Sequence, residues 1–436
     1  MVRLSFFGGV GQIGGNKILL EDRDTKVFLD FGVNYGDRAR FYSEPWLSPR
    51  DERGLFEFGL LPRLSGAYKF DAHPAEFDAV FVSHAHTDHW MYVSFLKREI
   101  PVHCGETTGL ILKTFSEISR SFETGIEGLR IQAFQTGDKV KVGSIEVEPV
   151  HVDHSVPGAH AFVIHTTEGA VVYTGDFRMH GTRAEMTDEF IQRAAEARPA
   201  VMLCEGTNVV GADSSTEEEV RAKMSKVTRN TPSLVLANFR YSDLDRTRSL
   251  LECARENDRK LAISLKHAYF LHRLRLKNLR LPQIDSSDFL VFRRSKKWYF
   301  KWEQEILSFP NVVGAQEMQE MQNKVILASS FSDLAELLEI RPRPGSTFIN
   351  SSSEPFNEDQ DLEYDKFVNW LDHLGLPMFR IHCSGHIMPD EVRKVIQAIR
   401  PRKLLPIHTE YPSLFAKFVS NLTKVELPQM ASGHEL

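Results

Sequence analysis

Short apolar runs punctuated by glycine dominate the first third of the chain and predict strands over 3–7, 17–20, 27–30 and 79–83. The Pro-rich, aromatic and charged segment 35–74 breaks this rhythm and is expected to be a long excursion outside the core. Strand patterns return at 145–150, 160–165 and 170–174, and an amphipathic stretch over 184–197 predicts a helix leading into a strand at 201–204. Beyond Glu205 the texture changes. An S-T-E-E-E start predicts a helix over 215–229, followed by strand 234–237, helix 242–255, strand 261–264 and helix 268–274, the alternation of a parallel sheet. Strand 379–383, helix 389–399, strand 404–407 and helix 412–419 then close the chain. One α/β domain interrupted by another accounts for this order, with expected limits of 1–205 for the first part, 206–377 for the insertion and 378–436 for the return.

A length of 436 residues suits two domains, and 42% hydrophobic residues supply sizeable cores. The formal net charge of −6 excludes a uniformly basic nucleic-acid coat, so an anionic partner must be drawn by a local site. Two segments are locally basic: RLRLKNLR at 273–280 and FRRSKKWYFKW at 292–302 interleave cations with aromatics, a mixture that tracks phosphates and stacks on bases or, more blandly, forms a solvated helix face. Cys104, Cys204, Cys253 and Cys383 form no CxxC pair, which fits core thiols in a reducing compartment rather than a thiolate metal site. The N-terminus lacks a long apolar run, and no window reaches the ~18 apolar residues of a membrane span. A soluble, cytoplasmic protein without a membrane partner is expected.

The stretch FVSHAHTDHW at 81–90 places His84, His86, Asp88 and His89 directly after an apolar strand. Imidazole and carboxylate suit zinc or manganese; alternate strand-end positions would aim His84 and His86 one way while the next turn supplies Asp88 and His89. Packing alone does not explain four ligand-type residues so close together, and two pairs facing different ways suit two ions. Further ligands are needed. His154, Asp176 and His408 each follow a predicted strand, although His151, His160 and His165 are equally eligible by position.

FFGGVGQIGGN, SHAHTDH, HVDHSVPG, TGDF, SGH and PIHTEY occur in the order of the metallo-β-lactamase superfamily, in its β-CASP nuclease branch, and the chain most resembles the ribonuclease J family. EGTNVVGADSSTEEEVRAKM, NFRYSDLDRTRSLLECARENDRK and INSSSEPFNEDQ extend the resemblance over nearly the whole chain. It implies an αββα sandwich interrupted by an α/β β-CASP domain with a parallel sheet. It also implies that His84, His86 and His154 hold one zinc, that Asp88, His89 and His408 hold the other, and that Asp176 bridges them, with manganese as the alternative metal. Asp88, Glu205 and His386 are the implied catalytic residues. His386 is the candidate general acid or phosphate contact, and Glu205 either transfers protons or orients a neighbouring histidine. Ser352, Ser384, Gly385 and His386 are candidate substrate contacts, with the Ser351-Ser352-Ser353 run offering donors to a terminal 5′ phosphate. The segment 328–340 lacks the family's Gly-Gln-Gly-Glu type of motif, His408-Thr409-Glu410 stands where His-Gly-Glu is usual, and the length resembles the short archaeal form without the C-terminal dimer-forming domain. Monomer and homodimer both stay open.

The expected activity is zinc-dependent hydrolysis of single-stranded RNA, including 5′-monophosphorylated RNA, as a 5′→3′ exonuclease, an endonuclease or both. Alternatives are a single-stranded DNA nuclease, a small-ester hydrolase and a non-catalytic RNA-binding scaffold. The cationic insertion disfavours a small substrate, and a full ligand set disfavours the scaffold.

Overall fold

The computed structural model describes residues 1–43, 46–119, 121–211, 215–276, 281–352, 358–431 and 433–435. The chain folds as two compact units, one formed by Met1–Ala212 with Gly385–Leu436 and the other by Asp213–Ser384.

The first unit is a sandwich of two seven-stranded sheets. One sheet runs in the order Gly433–Glu435, Val2–Phe6, Ile18–Asp22, Thr25–Leu29, Ala79–Val82, Val102–Gly105, Ile131–Phe134. The other runs Lys424–Val425, Lys403–Ile407, Val201–Glu205, Gly169–Tyr173, His160–Thr166, Ile145–His151, Val140–Val142. Leu4, Ile18 and Phe81 of one sheet meet Phe162, Val171 and Leu203 of the other in a single apolar layer. The second sheet's outer face carries Val163, Val172 and Met202 and is covered by helices Ala184–Ala197, Pro389–Ile399 and Pro412–Val419. Helix Pro389–Ile399 illustrates the local logic. Pro389 begins it, Glu391 reaches back to the Met388 N–H, and Val392, Val395, Ile396 and Ile399 recur at helical spacing on the buried face.

Pairing along both edges explains why Val201–Glu205 is buried along its whole length. It pairs in parallel with both Gly169–Tyr173 and Lys403–Ile407, and helices cover the face that the sandwich does not. Between 102 and 134 the chain forms two further strands, Val102–Gly105 and Ile131–Phe134, and helix Glu106–Ile118. The excursion at 35–74 is only partly outside the core: Leu55, Leu61, Ala67 and Tyr68 are buried, and buried Arg38 pairs bidentately with Glu123, one of the two contacts being 2.8 Å. Part of its aromatic content stacks on itself, Phe41 on Phe58 and Tyr68 on Phe70.

The second unit holds an all-parallel seven-stranded sheet in the order Val312–Val313, Phe289–Phe292, Lys260–Ser264, Val325–Ala328, Val235–Asn238, Thr347–Asn350, Met378–Arg380. The expected insertion limits of 206 and 377 need correction. The strand expected at 379–383 to open the return segment is Met378–Arg380, which hydrogen-bonds to Thr347–Asn350 as an edge of the inserted sheet. Pairing partners of this kind leave no trace in periodicity. Helix Glu217–Asn230 starts with a capping box between Thr216 and Glu219, as the acidic start predicts. All four cysteines are buried and free. Among the described residues no helix is long and apolar enough to cross a membrane.

Lys17, in the glycine-rich loop region of the first unit, is an internal ammonium, 3% exposed, that donates to the Gly15 carbonyl at 3.1 Å and lies 5.3 Å from the Tyr92 ring centre. Burial lowers its pKa to about 7, against a smaller opposing effect of Asp37. The folded state therefore releases a proton that the unfolded chain keeps up to its ordinary lysine range, so stability rises with pH from about 7 toward 10. Thermal melts of the wild type should show a gain of about 2 kcal/mol between pH 7 and 9, and Lys17→Met should remove this gain while raising the melting temperature at pH 7. A pH-independent melt of the wild type across that interval would contradict the assignment.

Candidate metal and catalytic centre

Strand Ala79–Val82 ends before the motif, so His84 and His86 stand in a loop rather than at alternate strand positions, and Asp88 and His89 lie in the short helix Thr87–Trp90 that His86 precedes. Trp90 pins this loop from beneath, its indole N–H donating to the Ala85 carbonyl at 3.1 Å. Two glycines make the approach of neighbouring chain possible. A Cβ on Gly32 would lie 1.8 Å from the Asp88 carbonyl oxygen, and one on Gly14, at φ +76°, would lie 2.7 Å from the Asp88 carboxylate. The loop rich in glycine thus closes on the motif, and Gly9 also accepts the His408 N–H at 2.8 Å.

Nitrogen and oxygen atoms then converge in two groups, His84, His86, His154 and Asp176 in one and Asp88, His89, Asp176 and His408 in the other. His86 Nδ1 is 3.2 Å from His84 Nε2 and 3.0 Å from His154 Nε2. Asp176 Oδ2 is 3.5 Å from His84 Nε2, 3.1 Å from His89 Nε2 and 3.7 Å from His408 Nε2, while Asp88 Oδ2 is 3.2 Å from His408 Nε2. Asp176 is the one residue shared by these two groups. His151, His160 and His165 belong to neither group.

The far ring nitrogens are held by a supporting layer that sequence reasoning missed. Asp30 accepts from Ser83 N and Oγ and from Tyr173, and it lies 2.7 Å from His89 Nδ1. Asp30 is itself a carboxylate just after a strand, the signal that singled out Asp176, and its left-handed backbone at φ 58° was invisible in the sequence. His84 Nδ1 contacts Ser83 Oγ at 3.0 Å, His154 Nδ1 the Gly385 carbonyl at 2.5 Å, and His408 Nδ1 Thr207 Oγ1 at 2.9 Å. Such partners fix the tautomer and leave Nε2 directed at a cation. Buried Arg178 pairs with Asp153, joining the loops that carry Asp176 and His154; removing either partner would strand a charge at a cost of ~3–5 kcal/mol.

The residues fit divalent cations on electrostatic grounds. Burial, reinforced by cationic neighbours, holds His84 and His154 well below the ordinary imidazole range, so both are neutral lone-pair donors. Asp88 and Asp176 are held below the ordinary carboxylate range because neighbouring histidines outweigh their burial. His89 is pushed up, burial being overcome by Asp176, Asp88 and Asp30. Asp176 Oδ1 is buried without a hydrogen-bond partner, which is costly unless a cation takes it up. The fold and this cluster together suggest divalent metal binding.

Beside the cluster, Glu205, fully buried, accepts from Phe177 N, Ile387 N, Thr207 N and Thr207 Oγ1, and its Oε1 is 3.2 Å from His386 Nδ1. Burial would lower the His386 pKa, but Glu205 and then Asp176 raise it to about 9. At the Gly385-His386 turn, the Gly385 carbonyl lies 2.5 Å from His154 Nδ1 and so supports that ring. Ser352 and Ser384 lie in the second unit, where Ser352 Oγ donates to Asn350 at 2.9 Å and accepts from Asn238 at 3.2 Å. Ser353 lies outside the described residues.

The profile of a β-lactamase superfamily domain matches residues 58–207. Ribonuclease J of Sinorhizobium meliloti is 27% identical over 376 residues, which is 82% of this chain and 62% of that protein. Ribonuclease J of Mycoplasma pneumoniae is 24% identical, with 93% of this chain and 67% of that protein covered, and ribonuclease J of Thermus thermophilus is 25% identical, with 92% and 67% covered. This chain thus spans about two thirds of the length of these relatives. A crystal structure of a protein of unknown function from Enterococcus faecalis superposes with a TM-score of 0.79 over 100% of both chains at 22% identity, sharing the fold. With the interrupted sandwich, the parallel inserted sheet and the motif order in agreement, the chain has the metallo-β-lactamase fold with a β-CASP-type insertion and is similar along most of its length to the ribonucleases J.

Proposed function

We propose that the protein is a two-zinc ribonuclease that hydrolyses phosphodiester bonds of single-stranded RNA, acting from a 5′-monophosphorylated end and also within the strand. The observation that carries the proposal is the pair of ligand groups sharing Asp176. Zinc, or manganese in its place, would be held by His84, His86 and His154 on one side of Asp176 and by Asp88, His89 and His408 on the other. Divalent cations held there would supply acidified water and charge neutralisation for the phosphoryl oxygens.

The chain's own residues do the rest. The side chains of Asp88 and His386 each keep 21% exposure, so they mark the solvent side of the cluster. His386 holds a proton at neutral pH, consistent with its raised pKa. Glu205, saturated by backbone and hydroxyl donors, acts as the group that orients His386 Nδ1, leaving Nε2 to deliver its proton to the departing 3′ oxygen as the P–O3′ bond breaks. The products are a 5′ phosphate and a 3′ hydroxyl.

End-labelled RNA and DNA oligonucleotides with 5′ hydroxyl, monophosphate or triphosphate ends, supplied with zinc or manganese separately, test the reading. Mononucleotides released first from 5′-monophosphorylated RNA are expected. The double variant His86→Ala, Asp88→Ala should lose both cleavage and bound metal; cleavage that persists in it with unchanged RNA binding would sink the two-metal proposal. His386→Ala should lower kcat by ~10²–10⁴-fold with little change in metal content, whereas Glu205→Gln should retain part of that rate. Asp30→Asn, a change at a buried carboxylate behind His89, should weaken metal affinity by ~10–100-fold, read as metal content after dialysis against a graded chelator.

A further inference from the structure

In the second unit, the strand Lys260–Ser264 and its neighbour Val325–Ala328 send their chains to opposite faces of the parallel sheet. Val325–Ala328 leads into the turn and helix that bring Leu334, Leu337 and Ile340 to the face packed on Leu236, Leu327 and Phe348. Helix Leu265–Arg275, after Lys260–Ser264, contributes nothing to that cluster and packs against Lys260–Ser264 and Phe289–Phe292. Adjacent parallel strands that diverge in this way open a crevice beyond their carboxyl ends, the place where α/β sheets take ligands.

Cations from two chain segments converge there. Ser264 is in register with Phe292, so Lys266 and Arg294 stand two residues beyond paired strand ends. The Arg294 guanidinium donates to Ser332 Oγ at 3.1 Å and pairs with Asp333, which places it across the end of Lys260–Ser264 at the exit of Val325–Ala328. Lys266 has no carboxylate within ion-pair distance among the described residues; its ammonium lies 4.8 Å from the Tyr241 ring centre, at the exit of the next strand. Partial burial and then the neighbouring Arg294 hold Lys266 below its ordinary pKa, a repulsion that an anion would relieve. Ser329 Oγ, at the same edge, is buried and without a hydrogen-bond partner. The following segment adds Trp298, 57% exposed and packed edge-on against Phe300 at 4.5 Å. The anions here, Asp333, Glu303 and Glu336, face Arg294 and Lys296 and leave Lys266, Arg293, Lys297 and Lys301 without ion pairs among the described residues.

We propose that this crevice is a non-catalytic site for the phosphodiester backbone of a single-stranded polynucleotide, with Lys266 and Arg294 on a phosphate and Trp298 stacking on a base. For the identity of its occupant the proposal rests on the ribonuclease reading; its geometry does not. Charge and exposed aromatic surface together favour a polynucleotide over a free phosphate.

The full chain, kept in chelator so that nothing is cleaved, is titrated with a fluorescent single-stranded RNA 12-mer at several salt concentrations. Lys266→Met should bind about tenfold more weakly, with a salt slope smaller by about 1, while Lys266→Arg stays within about twofold of the wild type. Trp298→Leu should weaken binding ~5-fold or more with the salt slope unchanged. Hydrolysis of bis(p-nitrophenyl) phosphate with metal supplied should be equal in all four proteins. Should the wild type bind RNA in a Lys266-dependent manner yet hydrolyse nothing, the ribonuclease reading fails and this site stands. Wild-type affinity and salt slope in Lys266→Met overturn the site, and so does loss of inorganic phosphate binding with RNA affinity intact.

Discussion

Asp176 is the residue on which the centre depends. A carboxylate buried this completely, with one oxygen lacking any hydrogen-bond partner, is tolerable only amid concentrated positive charge. The surrounding histidines answer it in two ways, His84 and His154 staying neutral while His89 takes a proton when no cation supplies the charge. Metal affinity, ligand tautomer and loop position are therefore one electrostatic problem, and residues outside the ligand set, such as Asp30, Tyr173 and Thr207, are as much part of its solution as the ligands.

Much of this was legible beforehand because the chemistry is written in local sequence. SHAHTDH concentrates ligand types in a way that packing does not explain, and the helices 184–197, 389–399 and 412–419 have apolar spacing strong enough to fix their ends. What escaped was non-local. Asp30 looks like any strand-end acid until His89 is seen beside it, and Met378–Arg380 looks like the start of the return segment until its ladder to Thr347–Asn350 is drawn. The excursion misled for a related reason: its charge and prolines suggested exposure, while its few apolar residues and Arg38 found buried partners.

The glycine-rich N-terminal loop also acquires a physical role. Its backbone must pass within van der Waals distance of Asp88 and hand a carbonyl to His408, which itself adopts a left-handed backbone at φ 50°. A side chain at Gly14 would displace the Asp88 carboxylate, and the strained His408 is held by a contact from the other end of the chain.

Glu205 and His386, 181 residues apart in sequence, touch at 3.2 Å, and Asn208 donates to the His386 carbonyl at 2.9 Å. The chain therefore leaves the sandwich and re-enters it through one polar doorway. For folding, the second unit is then a closed loop whose ends are already joined, so the entropy of bringing His408 to Asp88 across 320 residues falls to that of a much shorter tether once the insertion has folded by itself. Because the doorway belongs to the sandwich itself, the length and surface of the insertion are physically separable from the strands and loops that carry the histidine and aspartate cluster.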